Sequence, residues 1–497
     1  MRTALRWHGE TAAQFVESSI DVKLTPIDLR QHPSHERETR MMALLLEETD
    51  KSFDLTQAPL FRLMWIRMAD EENVIFFMPH HVIWDGWSFD TFLRELSQTY
   101  EAYSQGNSPA LPDLPVSYGD FAAWHRQWLQ GAELERQATF WLERLQGELK
   151  PLDLPSDRPR PAAMSFKGES EWVEVSKDKV EALTELGRGS RATLFMVLIA
   201  VFKTLLHRYT GHEDILIGTP VRGRSQPETE DMIGFFVNAV VLRTAVEADL
   251  TFRQLIGRVR DVCLDAFSHQ DTPFELLLQK LGVERDLSRT PIYQSFFSFQ
   301  DARNRGNRYG DLRAEQVHVL SPSAATDLSL WVMHTHNGLV GGLNYSTDLF
   351  DAERMQRLLQ HFACLIDSVL QNPESTLGAL NVLPAHEAAQ LRRWQGVAAT
   401  GGANVLLHHR IEAQVERTPS AIALTFEGEK ITYAQLNERA NRLAHWLHRQ
   451  GVGRRVLWVC VCGAASTWWR GYWRFLKRVA HTCRWIRIIP RALDVHG

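Results

Sequence analysis

The sequence predicts an α/β fold built in two parts, and three observations support that prediction. Apolar runs of strand length recur along the chain, among them residues 74–77 and 215–221. Between them, apolar residues recur at the three- and four-residue spacing of amphipathic helices, as in residues 252–266. Residues 151–161, with prolines throughout, break both patterns and indicate a linker between the two parts.

Length and composition limit the class of protein. A chain of 497 residues with 44% hydrophobic and 23% charged residues predicts a soluble protein of two to four domains. The net charge of −5 gives no indication of nucleic-acid binding. We expect a cytoplasmic protein that does not enter the membrane, since there is no signal peptide and no apolar run of transmembrane length. The five cysteines are irregularly placed, and Cys460-Val-Cys462 has no second ligand pair, so we predict neither a disulfide framework nor a metal site.

The first part contains the most informative segment, a histidine pair after an apolar strand. Residues 74–77 predict a strand, and His80-His81-Val-Ile-Trp-Asp85-Gly86 follows it. Ser88 is then predicted to cap a helix whose apolar residues run to Tyr100. A second helix is predicted from Tyr118 onwards.

The second part alternates helices and strands. Helices are predicted over residues 180–206, 252–266 and 352–370, and strands over 215–221, 292–299, 328–333 and 343–345. Residues 377–402 are predicted to form a connector. Beyond it, a strand at 422–426 and an amphipathic helix from Ile431 indicate a further domain.

The sequence changes character from Arg454 to the end. This stretch holds five of the chain's 16 tryptophans and eight arginines, without periodicity. Such a composition is typical of a GC-rich gene translated out of frame, so we hypothesise a frameshift near Gly453. The alternative is a basic tail that binds a membrane surface or RNA.

The histidine segment predicts acyl-transfer chemistry. Histidine has a pKa near working pH and is a natural general base, Asp85 can fix an orientation, and Gly86 permits a bend that a Cβ would resist. Taken alone, His81 also fits a core histidine. A metal site of His80, His81 and Asp85 is disfavoured because neighbouring histidines rarely converge on one ion.

Five motifs in order resemble a known family. Besides the histidine motif these are Tyr118-Gly-Asp-Phe-Ala-Ala-Trp124, Ile233-Gly-Phe-Phe-Val-Asn238-Ala-Val-Val-Leu-Arg243, His269-Gln-Asp-Thr-Pro-Phe-Glu275 and Arg285-Asp-Leu-Ser-Arg289-Thr-Pro291. The chain resembles a condensation domain of a nonribosomal peptide synthetase. Ile431-Thr-Tyr-Ala-Gln-Leu436 resembles the opening motif of the adenylation domain that usually follows.

The resemblance implies a fold of two chloramphenicol-acetyltransferase-like α/β lobes arranged in a V. The first lobe is expected at 1–155, with its start missing, and the second lobe at 156–388. A linker at 389–405 and an incomplete adenylation fragment at 406–453 follow. Residues 454–497 are expected to form the disordered, out-of-frame tail.

The resemblance also implies amide-bond formation between a donor acyl or peptidyl thioester and an acceptor aminoacyl thioester. Both substrates would arrive on the 4′-phosphopantetheine arms of upstream and downstream carrier proteins of the synthetase, and the chain itself would bind no cofactor. His81 would be the catalytic residue, either abstracting the amine proton or orienting the amine, while His80 would be structural. Asp85 would pair with an arginine, Arg2 or Arg243, and Gly86 would allow the turn, its N–H facing the tunnel.

Further polar residues are expected near a substrate tunnel between the lobes: Trp87, Ser88, Asn238, Arg243, His269, Gln270 and Asp271. For Asn238 and Arg243, which flank a strand, the alternative is that their side chains simply face water. For residues 269–271 the alternative is that they shape a turn. Tyr118, Phe121 and Trp124 are predicted to pack a helix. The motifs favour an L-configured donor, with epimerising and acyl-starter subtypes left open. An inactive relic and a carrier-docking module without catalysis are the alternative functions.

Overall fold

The computed structural model describes residues 1–303, 305, 308–317, 319, 322–395, 407–426 and 429–450. These residues belong to two compact units, Met1–Ala388 and Ala389–Gly497. The predicted out-of-frame tail at 454–497 lies outside the described residues, as do residues 396–405 of the predicted linker.

The first lobe contains five strands and four helices in its described chain. The strands are β1 (Thr3–His8), β2 (Thr11–Val16), β3 (Pro26–Asp28), β4 (Phe61–Arg67) and β5 (Asn73–Pro79). The helices are α1 (Ser34–Asp50), α2 (Gly86–Ser104), α3 (Tyr118–Trp128) and α4 (Gly131–Arg144). Strands β1 and β2 form a separate hairpin, whereas β3, β4 and β5 form a sheet in that order.

Strand β5 separates two apolar clusters. Side chains alternate across a strand, so Phe76 packs with Met41 and Leu45 of α1, while the next residue, Phe77, faces α2. On the α2 side the Phe77 ring stacks on Phe92 with centroids 4.6 Å apart. The sheet is therefore covered on both faces at the end of β5, although Ile75 on the Phe77 face is 54% exposed.

The second lobe is built on one six-stranded sheet in the order β6–β13–β12–β9–β7–β8. Its strands are β6 (Gly168–Ser176), β7 (Asp214–Val221), β8 (Asn238–Ala245), β9 (Ser295–Asp301), β12 (Leu328–Thr335) and β13 (Gly338–Ser346), with a small hairpin of β10 (Arg308–Tyr309) and β11 (Leu312–Arg313). Its helices are α5 (Lys177–Gly189), α6 (Leu194–Thr210), α7 (Phe252–Phe267), α8 (Phe274–Leu281), α9 (Ala352–Gln371) and α10 (Ala385–Trp394), the last of which continues beyond residue 388. The helix predicted over 180–206 is thus two helices, α5 and α6.

A large apolar core lies against this sheet, and it includes residues from before position 155. Trp141 and Leu145 of α4, and Leu152 beyond it, are buried in the same core as Phe202 and Phe297. The predicted linker over 151–161 forms neither helix nor strand, yet Leu152 is 4% exposed. Helix α4 therefore packs as part of the second lobe's core, although it precedes the predicted boundary.

The unit that begins at Ala389 has a small core of its own. Its described elements are α11 (Leu407–Arg417), β14 (Ile422–Phe426), β15 (Glu429–Thr432) and α12 (Tyr433–Arg449). Ile431, Leu436 and Ala440 are buried there. The helix predicted from Ile431 begins two residues later, at Tyr433, because Ile431 pairs with Leu424 in a β-ladder.

Within the described chain, no single helix combines the length and apolar composition needed to cross a membrane. Of the described helices, only α5 and α6 meet that test together, and they are bent by 99° relative to each other.

Candidate active site

The histidine pair lies in a tight turn at the end of β5. The backbone N–H of His80 donates to the Leu60 carbonyl of the preceding strand pair at 2.8 Å. A single 3-10 turn, His81–Ile83, follows, and the His80 Nδ1 accepts a hydrogen bond from the Val82 N–H at 3.1 Å. Burial, with a smaller contribution from His81, lowers the pKa of His80, which keeps Nδ1 available as an acceptor. His80 therefore caps the turn.

The His81 ring contacts a loop of the second lobe. The residue is exposed, and its ring meets that of Phe235 edge-on, with centroids 5.3 Å apart at 81°. No hydrogen bond of the His81 ring to another described residue is present. Its nitrogens are consequently free to engage a substrate.

Asp85 caps α2. Its Oδ1 accepts hydrogen bonds from the Ser88 N–H at 2.8 Å and is 2.8 Å from the Ser88 hydroxyl. The prediction that Ser88 is the N-cap is wrong, because the helix begins at Gly86 and Ser88 lies at its third position. Asp85 accepts a hydrogen bond from the Ser88 N–H, which has no acceptor within the helix, as capping carboxylates usually do.

Asp85 also forms a buried ion pair with Arg224 of the second lobe. Arg224 Nη2 is 3.1 Å from Oδ1 and 3.3 Å from Oδ2, and the two side chains are 3% and 0% exposed. The pairing of Asp85 with Arg2 or Arg243 is therefore wrong. Arg2 donates to the carbonyls of Glu17 and Ser18 at the end of the β1–β2 hairpin, and Arg243 pairs with Asp214.

Arg224 holds the loop that carries it. Its Nη1 donates to the carbonyls of Thr229 and Met232, both at 2.6 Å, and its guanidinium lies 4.0 Å from the centre of the Phe236 ring. Burial lowers the pKa of Arg224, and Asp85 opposes that effect. The cation is thus held inside the protein by a carboxylate, two carbonyls and an aromatic face.

Further hydrogen bonds fasten the loop after Met232 to the first lobe. The Phe236 N–H donates to Asp85 Oδ2 at 3.1 Å, and the Gly234 N–H donates to Ser88 Oγ at 3.1 Å. The Tyr118 hydroxyl donates to the Phe235 carbonyl at 2.5 Å. We call Asp85, Ser88, Arg224 and Phe236 the inter-lobe clamp, which places Phe235 beside His81.

Gly86 lies at a close approach to another side chain and not at a left-handed bend. Its φ is outside the left-handed region, so the predicted conformational reason is wrong. A Cβ at this position would lie 3.0 Å from Gln300 Nε2 at the end of β9. Gln300 is held in turn by Arg305, which donates to its Oε1 at 2.8 Å and pairs with Asp90 of α2 at 2.5 Å.

Trp87 and Arg243 lie at different places in the fold. Trp87 is 42% exposed, and the Arg222 guanidinium lies over its indole at 4.1 Å. Arg243 pairs with Asp214 at 2.8 Å and donates to the Arg144 and Gln146 carbonyls at the end of α4. These contacts fasten α4 to β8, so the Arg243 side chain is engaged away from His81.

The other second-lobe residues form one hydrogen-bonded loop. Asn238 donates through Nδ2 to the carbonyls of Gln270 and Thr272, both at 2.7 Å. The Asp271 N–H donates to Gln137 Oε1 at 3.0 Å, and the His269 ring stacks on Phe140 at 3.9 Å. This set fixes the loop before α8 against α4, which is the turn-shaping alternative for residues 269–271.

Tyr118 and Phe121 contact the same loop as the clamp. The Phe121 ring lies 4.7 Å from that of Phe236, and the Tyr118 ring lies 5.1 Å from it. Trp124 stacks on Trp128 at 5.5 Å. These aromatics pack, as the helical spacing predicts.

Sequence reasoning missed Arg224 and the glycine before it. Gly223 has a φ of +65°, and a Cβ there would lie 1.9 Å from the Phe236 carbonyl oxygen. The signal was the run Arg222-Gly223-Arg224 directly after β7, where a glycine between two arginines marks a special backbone position. Among the described residues, no group of three or more His, Cys, Asp or Glu side chains is arranged to hold a metal ion.

Comparison with known families identifies the family to which the chain belongs. The family model described as Condensation domain matches residues 1–392, and that described as AMP-binding enzyme matches residues 411–469. Because the first match covers more than half of the chain, the chain belongs to the condensation-domain family. The second match continues beyond Gly453, and the frameshift there stays a prediction.

Individual relatives agree with the family match. One of the proteins of the linear gramicidin synthase of Brevibacillus parabrevis is 37% identical to the chain over 465 residues, which are 93% of this chain but 6% of that protein. The chain thus spans a small part of the length of a much longer synthetase.

Solved structures share the fold. The X-domain from teicoplanin biosynthesis matches with a TM-score of 0.69 at 27% identity, over 77% of this chain and 86% of that one. The first condensation domain of the calcium-dependent antibiotic synthetase matches with a TM-score of 0.66 at 18% identity, over 77% and 86%. The predicted α/β fold of chloramphenicol-acetyltransferase-like lobes, and the resemblance to a synthetase condensation domain, are confirmed.

Proposed function

We propose that this chain catalyses amide-bond formation between a donor acyl or peptidyl thioester and the amine of an acceptor aminoacyl thioester. The observation that carries the proposal is His81, an exposed imidazole at the end of β5 whose turn is locked by the inter-lobe clamp. Membership of the condensation-domain family supports the same reaction class.

In the proposed reaction the acceptor nitrogen attacks the thioester carbonyl carbon. The C–N bond forms, the amine loses a proton, and collapse of the tetrahedral intermediate breaks the C–S bond. His81 is placed to take the amine proton and return it to the departing thiol. In the alternative role, His81 orients the amine and stabilises the charged intermediate, while alignment of the two tethered substrates supplies much of the acceleration.

The remaining site residues act through position. Asp85 acts as a positioning residue, since it is buried and reaches substrate only through the turn that it helps to hold. His80 caps that turn, and Gly86 leaves room for Gln300. Trp87 is exposed beside the histidine turn and borders the proposed tunnel, whereas Ser88, Asn238, Arg243 and the 269–271 loop support it through hydrogen bonds that hold the surrounding loops.

The proposed substrates require partners. Upstream and downstream carrier proteins would deliver both thioesters on phosphopantetheine arms, in the cytoplasm and alongside other synthetase modules. Neither nucleic acid nor a membrane enters the proposed reaction.

A second candidate function is a protein-docking module without catalysis. It is favoured by the likeness to the X-domain, a neighbour also solved as a complex with OxyB. The two candidates differ in a simple way, because docking requires the surface of the lobes but not the His81 imidazole.

The test mixes a donor-loaded and an acceptor-loaded carrier protein with the full chain and follows the condensed product by mass spectrometry. We expect product with the native chain and with His35→Ala, an exposed histidine of α1, and a loss of about 100-fold or more with His81→Ala. If the chain binds the carrier proteins but forms no product, the proposed condensation function is wrong and the docking function is supported. Neither binding nor product would indicate an inactive relic.

A further inference from the structure

A cavity lies in the second lobe and shares no residue with the candidate active site. Its volume is about 370 Å³, and it is bordered by the end of α6, the middle of α9 and the segment leading into α10. Three arginines contribute to its lining, Arg208, Arg354 and Arg357. A concentration of guanidinium groups around one cavity is the arrangement that recognises anionic oxygens.

Each of the three arginines keeps N–H groups that no other described residue engages. Arg208 uses Nη1 to donate to the carbonyls of Leu377 and Leu380, at 2.9 and 2.7 Å. Arg354 uses Nε and Nη2 to pair with Asp157, at 2.7 and 2.6 Å. No hydrogen bond or ion pair joins the exposed Arg357 to any other described residue. Since a guanidinium has five N–H donors, the cavity retains spare donors and unpaired positive charge.

The other polar residues of the cavity form a continuous chain. The Tyr209 hydroxyl is 2.5 Å from His361 Nδ1, and His361 Nε2 is 2.5 Å from a Glu387 carboxylate oxygen. Burial raises the pKa of Tyr209 to about 12, so the hydroxyl keeps its proton. A neutral imidazole protonated at Nε2 satisfies both contacts, with tyrosine donating and the carboxylate accepting. These three side chains saturate one another, and the arginines remain as the donors available to a ligand.

We propose that this cavity binds a small phosphate-type anion, such as inorganic phosphate, pyrophosphate or a phosphomonoester. Planar guanidinium groups bind phosphate oxygens in pairs, and about 370 Å³ falls within the range of small-molecule sites. Glu387 is the one carboxylate lining the cavity, and it opposes an anion. The inference does not rest on the proposed condensation activity.

The first experiment measures phosphate and pyrophosphate binding to the full chain by isothermal titration calorimetry at low salt. Arg357→Gln should weaken pyrophosphate binding by about tenfold, the loss of one charge-assisted contact. The matched control is Arg285→Gln, an exposed arginine of the same lobe outside the cavity, which should leave the affinity unchanged. No binding at millimolar pyrophosphate, or equal losses in the two variants, would overturn the proposal.

A second variant tests the opposite direction. Glu387→Gln keeps an oxygen to accept from His361 but removes the negative charge, so it should tighten pyrophosphate binding severalfold. A weaker affinity would contradict an anion site, and circular dichroism checks that the fold is retained. Titrations with AMP and with citrate show which kind of anion the cavity prefers. A site for free phosphate should bind pyrophosphate more tightly than AMP, and both more tightly than citrate.

Discussion

Asp85 and Arg224 pair across the junction of the two lobes, 3.1 and 3.3 Å apart and almost entirely out of water. The carboxylate sits at the start of α2 and the guanidinium in the loop after β7. Ser88 and the Phe236 N–H complete the shell of donors around the carboxylate. A buried pair of this kind stabilises a structure only while both partners are present, because each charge alone lacks water.

Removal of either clamp charge should be costly. Asp85→Ala should lower the free energy of unfolding by about 3–5 kcal/mol, because Arg224 remains buried without its carboxylate. The double variant Asp85→Ala/Arg224→Ala should lose less than the sum of the single variants. Urea unfolding measures both. The control is Arg94→Ala, whose exposed pair with Asp231 should be worth about 1 kcal/mol or less, and an equal loss there would contradict the argument.

Gly223 should tolerate no side chain. Its φ of +65° is similar to that of Gly282, at +62°, but of these two glycines Gly223 alone would bring a Cβ against a carbonyl oxygen, at 1.9 Å. Gly282→Ala should therefore cost about 1 kcal/mol of backbone strain, and Gly223→Ala clearly more, with loss of condensation activity. The comparison of denaturation midpoints isolates the steric part, and similar midpoints would disprove the close approach.

Gly86→Ala should be rescued by a second change. The added methyl group would lie 3.0 Å from Gln300 Nε2, so it should destabilise by about 1–3 kcal/mol through overpacking. Gln300→Ala in the same chain removes the obstacle and should restore part of that loss. Gly119→Ala, where the nearest atom is 3.6 Å away on an α3 site, should instead be neutral or stabilising. Absence of rescue would mean that Gln300 is not the constraint.

Lys203 should make stability rise with pH. It is fully buried, donates to the Ile215 and Leu242 carbonyls at 2.8 and 2.6 Å, and burial lowers its pKa to about 7. In the unfolded chain its pKa is about 10.4. Between these values the unfolded chain binds one proton more, so the free energy of unfolding should increase by about 1–2 kcal/mol from about pH 7 to about pH 8.5.

Other groups with shifted pKa values limit the pH range in which the effect of Lys203 can be measured. Cys263 has a pKa raised to about 12 by burial, which lowers stability only above the pKa of an unfolded thiol, about 8.5. His80 acts below pH 6.5, where its lowered pKa costs stability. The N-terminal amine, whose pKa burial lowers from its ordinary value of 8.0, also makes stability rise with pH up to about pH 8. Lys203→Met should therefore remove most of the rise between about pH 7 and 8.5, and an unchanged slope in this variant would assign it to another group.

The sequence was sufficient for the site wherever the information is local. The strand before the histidine pair and the helix after it follow from residues within about twenty positions of one another, and β5 and α2 lie where they were expected, whereas the turn lies at His81–Ile83 and not at Gly86. The cap of α2 was misassigned by three residues, because serine and aspartate both suit that position and only the structure shows that the helix begins at Gly86.

The rest depends on contacts between distant parts of the chain. Arg224 lies 139 positions from Asp85 in the sequence. No sequence pattern distinguishes it as a partner from Arg2 or Arg243, which carry the same guanidinium group. Gly86 likewise has a reason that lies on β9, at Gln300. Nothing in the local sequence records such a neighbour, since tertiary packing brings it there.

Helix α4 has a consequence for the design of chimeras between this chain and a relative. Trp141 is 2% exposed in the second lobe's core, and its Nε1–H donates to the His269 carbonyl at 2.7 Å. A chimera joined at residue 155 would pair one parent's α4 with the other parent's core. The core residues around Trp141 would then not match that side chain. A junction placed before Gly131 takes α4 and the core residues around Trp141 from the same parent.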